Sequence, residues 1–132
     1  MKLHEQGRFL ELPLRGLGLK KIIFTGCVTL VFTDEEESFL DITTAFTVTL
    51  YAQTTTLSPA DQASWVLFHE HFSQTIHEAT ADRQGNLWLT FANGTVITVE
   101  DGPYENWHYT KRNLSNPRDC LQVHGGIGHT YY

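Results

Sequence analysis

The run Asn86–Trp107, NLWLTFANGTVITVEDGPYENW, limits the folds open to this chain more than any other feature. Leu87, Leu89 and Phe91 alternate with Trp88 and Thr90, the period of two that turns one face of a strand to a core and the other to solvent. Asn93-Gly94 follows, the strongest short-range hairpin signal, and a type I′ turn with positive φ at both residues is expected there. Thr95 to Val99 is the returning strand. Glu100-Asp101-Gly102-Pro103 breaks it, and Tyr104 to Lys111 forms the next.

The rest of the chain reads the same way. Residues 1 to 19 suggest an ordered arm or a short edge strand. Lys21 to Phe24 and Cys27 to Phe32 are β-branched and aromatic, broken at Thr25-Gly26. Ser38 to Ile42 and Ala45 to Ala52 continue the pattern, and the polar run Gln53-Thr54-Thr55-Thr56 is expected to end the sheet. At Ser58-Pro59-Ala60-Asp61 the signals change to an N-cap, a proline at the first helical position and an acid in the first turn, predicting one helix over residues 59–72. Thr75 to Ala81 predicts a strand and Asp82-Arg83-Gln84-Gly85 a turn. After a polar loop at 113–118, Cys120 to Val123 and His129 to Tyr132 close the sheet, with a glycine-rich turn at Gly125, Gly126 and Gly128 between them.

An echo organises these strands. Leu30-Val31-Phe32-Thr33-Asp34 parallels Leu89-Thr90-Phe91-Ala92-Asn93, and both return on apolar strands ending at Ile42 and Val99. The expectation is one domain over residues 1–132, α+β but mainly β. It is an antiparallel sandwich or partly open barrel of two repeated meanders, about 20–52 and 75–111, with the helix between them.

Composition narrows the function. A net charge of -6 disfavours a surface built to neutralise phosphates, so nucleic acid is not the expected partner. No window has the roughly 18 apolar residues of a membrane span, and the amino terminus lacks a secretory apolar stretch; the expected location is the cytoplasm, with no membrane partner. Cys27 and Cys120 are too few and too far apart for a disulfide framework or a zinc motif, and are expected as reduced thiols, one or both buried.

Chemistry-bearing residues are sparse. His69-Glu70-His71 would point about 200° apart on a helix, which is not the i, i+4 spacing of a helical zinc site, while His108, His124 and His129 converge only if the tertiary fold brings them together. No metal or cofactor is expected. Cys120 and His124 share a strand face about 13 Å apart, too far for proton transfer. Within Tyr104-Glu105-Asn106-Trp107, regular alternation would place Glu105, Trp107 and Tyr109 on one face and Tyr104, Asn106 and His108 on the other. Trp107 is then a core anchor or part of a recognition patch.

Leu89-x-Phe91-x-Asn93-Gly94, an apolar return, Tyr104-Glu105-x-Trp107, then Cys120 followed by Gly125-Gly126, resembles a family of small uncharacterised bacterial proteins known only as a domain of unknown function. The acidic turn at 34–37 and the His-rich tail depart from that pattern. The resemblance implies no activity. Small, acidic, β-rich proteins of this class are also similar to the immunity proteins that neutralise bacterial toxins.

The expectation is a non-enzymatic, immunity-type inhibitor, monomer or homodimer, that covers a basic toxin such as a nuclease effector. Asp34, Glu35, Glu36 and Glu37, with Glu100 and Asp101 if the repeat brings them near, would steer association. Trp88 or Trp107, whichever is exposed, would anchor it beside Tyr104 and Glu105. One alternative is a small-molecule or enzymatic β domain with a pocket near Tyr104, Glu105 and His108; the other is a structural domain without a site.

Overall fold

The computed structural model describes residues 4–7, 9–61, 75–116 and 118–132. In chain order the strands are β1 (His4–Gln6), β2 (Phe9–Glu11), β3 (Leu19–Phe24), β4 (Val28–Phe32), β5 (Phe39–Ile42), β6 (Phe46–Leu50), β7 (Gln53–Leu57), β8 (Ile76–Asp82), β9 (Leu87–Phe91), β10 (Val96–Val99), β11 (Glu105–Lys111), β12 (Leu121–Gly126) and β13 (His129–Tyr131). They form two antiparallel sheets that face each other across one apolar core without closing into a barrel. Sheet A runs β1-β2-β8-β9-β10-β6-β7 and sheet B runs β13-β12-β11-β5-β4-β3.

The strand orders explain the echo. β3, β4 and β5 form a meander in sheet B, after which the chain crosses and adds the β6-β7 hairpin to sheet A beside β10. β8, β9 and β10 form the corresponding meander in sheet A, after which the chain crosses the other way and adds β11-β12 to sheet B beside β5. Each half therefore completes the other's sheet. Leu30 and Phe32 of β4 match Leu89 and Phe91 of β9 because both are middle strands of a meander, and all four are buried.

Alternation supplies the core. Leu87, Leu89 and Phe91 point inward from β9, Ile97 and Val99 from β10, Leu40 and Ile42 from β5, and Trp107 and Tyr109 from β11. Each such side chain contributes about 1.5–3 kcal/mol by leaving water. The amino-terminal arm joins in: Leu12 and Leu14 are buried, and the Leu12 amide donates to the Ala79 carbonyl at 2.9 Å.

Several local expectations need correction. The Asn93-Gly94 turn is not type I′, because Gly94 alone is left-handed (φ 89°). The Gly94 amide bonds the Phe91 carbonyl, the Phe91 amide bonds the Thr95 carbonyl, and the Asn93 side chain accepts the Thr95 amide. That is a three-residue loop closing on a glycine bulge. The left-handed pair occurs instead at Tyr51 (φ 51°) and Ala52 (φ 64°), between Leu50 and Gln53. Residues 51 and 52 are thus a turn, not strand, and Gln53–Thr56 does not end the sheet but forms most of β7. Gly125 and Gly126 lie within β12, leaving Ile127-Gly128 as the turn.

The helix expected over residues 59–72 falls, from residue 62 onward, outside the described residues, and the described residues contain no helix. At its start, Ser58 accepts the Ala60 amide through Oγ at 3.4 Å and the Asp61 amide through its carbonyl at 3.0 Å, a turn of N-cap type.

Candidate functional site

The Tyr104–Trp107 segment sits where the ends of both sheets interlock. Trp107 is fully buried, and its Nε1 donates to the Gly85 carbonyl at 2.9 Å, tying β11 of sheet B to the β8-β9 turn of sheet A. Its indole lies over Gly125, the cross-strand partner; a Cβ there would come within 2.7 Å of indole carbons. Around this contact, Asp101 accepts the Gly128 amide, Asn86 accepts the Asp101 amide, and Thr130 donates to the Asp82 and Arg83 carbonyls. Trp107 and Asp101 are therefore structural, and Trp107 is removed as an exposed anchor.

A β-bulge decides what this segment shows to solvent. Glu105 pairs with Gly126 and Trp107 with Gly125, so Asn106 is the extra residue. It is buried, donates through Nδ2 to Thr44 Oγ1 at 3.1 Å, and packs against Gly102. The extra residue reverses the expected alternation: Glu105 leaves the side of Trp107 and Tyr109 and joins that of His108.

On that outer face Glu105 bridges two histidines. One carboxylate oxygen lies 3.4 Å from His108 Nδ1 and the other 3.0 Å from His124 Nδ1. His108 and His124 are direct cross-strand partners with ring centroids 5.4 Å apart, and Tyr131 continues the row 5.1 Å from His124. On the other side His108 is opposite Asp41 of β5, whose carboxylate accepts the Thr29 hydroxyl of β4. Among the described residues, His108 Nε2 is a buried nitrogen without a hydrogen-bond partner. No cluster of three or more His, Cys, Asp or Glu that could hold a metal ion occurs among the described residues. Cys27 is half-buried and Cys120 exposed, so neither is the buried thiol expected.

The acidic turn divides in two. Asp34 is structural: its Oδ1 accepts the Ser38 amide and hydroxyl, each at 2.9 Å, and its Oδ2 faces the Lys111 ammonium at 3.8 Å. Glu37 pairs with Lys20, whose hydrogen bond and charge hold that carboxyl below its ordinary pKa of 4.5. Glu35 and Glu36 have no such partner among the described residues. They border an open depression of about 600 Å³ on the outer face of sheet B, floored by Ile23, Val31, Phe39 and Leu114. Beneath the turn the Tyr109 hydroxyl is buried beside Ser38; burial first, then Asp34 and Glu36, push its pKa above the ordinary value.

The remaining expected residues are dispersed. Glu100 and Asp101 lie beyond the start of β11 and the acidic turn beyond its end, roughly 20 Å apart by strand rise, so the repeat does not unite them. Trp88 is half-buried on the outer face of sheet A, edge-on to Phe9 at 6.0 Å, and borders a cleft of about 420 Å³ with Asp82, Arg83 and Gln84. Tyr104 is 73% exposed. The sequence names His108, His124 and His129 without showing which of them meet, and it does not point to Tyr131 or the apolar floor; the fold brings His108 and His124 together. Their signal is cross-strand register, which one strand's pattern does not contain.

These features define a small two-sheet β protein whose differentiated surface is a sheet face, with the conspicuous Tyr-Glu-Asn-Trp motif mainly holding the sheets together. The chain belongs to a family of unknown function, DUF6188, whose model matches residues 10–118. The matched span includes Leu89–Gly94 and Tyr104–Trp107 and ends before Cys120. No curated protein and no solved structure matches the chain.

Proposed function

We propose that this is a non-enzymatic binding protein that takes a basic protein surface on the outer face of sheet B, in the manner of an immunity-type inhibitor covering a nuclease-like toxin. One observation carries this reading: an apolar floor of Ile23, Phe39 and Leu114 is edged by Glu35 and Glu36, whose carboxylates are not engaged by ion pairs among the described residues. The depression is lined by four carboxylates, Glu35, Glu36, Glu37 and Asp41, against two cations, Lys21 and Arg112. Apolar area inside a charged rim suits a protein interface, and uncommitted rim charges act mainly on association rate and partner choice. The core behind Tyr104, Glu105 and His108 is filled by Trp107 and Tyr109, which favours a surface over an enclosed pocket. No helix among the described residues is long and apolar enough to cross a membrane; the proposed setting is the cytoplasm.

The test is binding to basic protein domains encoded beside the gene, measured by calorimetry at two salt concentrations. Replacing Glu35 and Glu36 with Lys lowers affinity about tenfold or more and flattens its salt dependence. Unchanged affinity in the double variant refutes this face as the site.

A further inference from the structure

We propose that β7 is a self-pairing edge through which two copies of this chain join their A sheets into one continuous sheet. This inference is independent of the sheet B face.

The four sheet edges differ in protection. Exposed strand edges offer unpaired amides and carbonyls to other strands, and proteins ordinarily blunt them with charge, proline, bulges or shortness. β3 carries exposed Lys20 and Lys21 and a bulge between Leu19 and Lys21. β1 and β13 have three residues each. β7 has five, Gln53-Thr54-Thr55-Thr56-Leu57, with no charge, no proline and an unbroken register against β6. Gln53 to Thr56 are all exposed.

The register selects the partner. The two-residue turn makes Leu50 and Gln53 the closing hydrogen-bonded pair, so bonding to β6 falls on residues 53, 55 and 57. Thr54 and Thr56 direct their amides and carbonyls away from the sheet. These outward residues are two apart, so a two-fold axis at Thr55 places Thr54 of one copy opposite Thr56 of the other, and four hydrogen bonds satisfy every outward group between the positions. The strand is its own complement, as an isologous interface requires.

Side chains agree with this pairing. Thr54 and Thr56 share a face with Thr49 and Thr47 of β6, and the Thr49 and Thr54 hydroxyls are 2.9 Å apart. The axis continues this threonine ladder into the second copy, and cross-strand threonine pairs are favourable. The same register carries Tyr51, 86% exposed at the tip of its left-handed turn, toward Ser58 and Pro59 of the second copy.

The experiment is sedimentation equilibrium of the full chain from micromolar to millimolar concentration, with Thr56→Pro and Thr56→Lys beside the wild type. The Thr56 amide has no bond within its own sheet, so proline removes only the outward donor; lysine keeps the backbone and supplies the missing charge. Circular dichroism confirms that each variant is folded. The expected result is a reversible wild-type dimer whose dissociation constant rises about tenfold or more in the lysine variant, and in the proline variant where it folds. A wild type that stays monomeric throughout, or a folded lysine variant that dimerises as tightly as wild type, overturns the proposal.

Discussion

Gly125→Ala tests whether the interlock around Trp107 holds the two sheets together. The added Cβ would lie 2.5–2.7 Å from Trp107 Cε2 and Cζ2, where carbon contacts ordinarily fall at about 3.5–4.0 Å. The indole must move by about 1 Å within a core that gives it no room, since Trp107 is fully buried. Overpacking of this kind costs about 1–3 kcal/mol. The shift also breaks the bond from Nε1 to the Gly85 carbonyl, and leaving its groups buried and unpaired adds about 1–3 kcal/mol. The expected loss of about 2–6 kcal/mol is a large part of the roughly 5–15 kcal/mol that holds a domain folded. Urea unfolding, followed by tryptophan fluorescence and far-ultraviolet dichroism, measures it. Gly128→Ala is the control for backbone strain alone: Gly128 is left-handed (φ 77°) with nothing within 4 Å of an added Cβ, so it costs about 1–2 kcal/mol. A Gly125→Ala loss below about 0.5 kcal/mol refutes the argument.

Two further outcomes concern stability. Tyr51→Asn with Ala52→Gly supplies residues suited to the left-handed turn and raises stability by about 1–2 kcal/mol in the same unfolding assay; no gain contradicts the φ assignment. Tyr109 stays protonated in the folded state above the pH at which an unfolded tyrosine ionises, because burial raises its pKa from 10.0. Its contribution is complete below about pH 10 and is lost as pH rises toward the folded value, so Tyr109→Phe moves the alkaline unfolding midpoint upward.

Local pattern carried much of the architecture because strand alternation and turn chemistry are written into neighbouring residues. Leu87, Leu89 and Phe91 are buried as their spacing implies, and Gly94 marks the turn. The pattern failed at Tyr51-Ala52 and Gln53–Thr56, where tertiary pairing with β6 overrides poor turn residues and a polar composition. For the candidate site, Glu35 and Glu36 were visible as charges, while the commitment of Asp34 to Ser38 and Lys111 was not, since only the folded loop shows which carboxylate is used.

By itself, the sequence determined a mainly β fold, because strand alternation and turn signals survive without knowledge of any partner strand. Only the tertiary structure decided that the halves exchange their last strands between sheets, and that Asn106 bulges. One extra residue moves Glu105 from the side of Trp107 to that of His108 and His124, since side chains in a strand change face at every position. That reversal, set by the pairing of β11 with β12, separates the buried tryptophan that joins the sheets from the carboxylate and imidazoles that face outward.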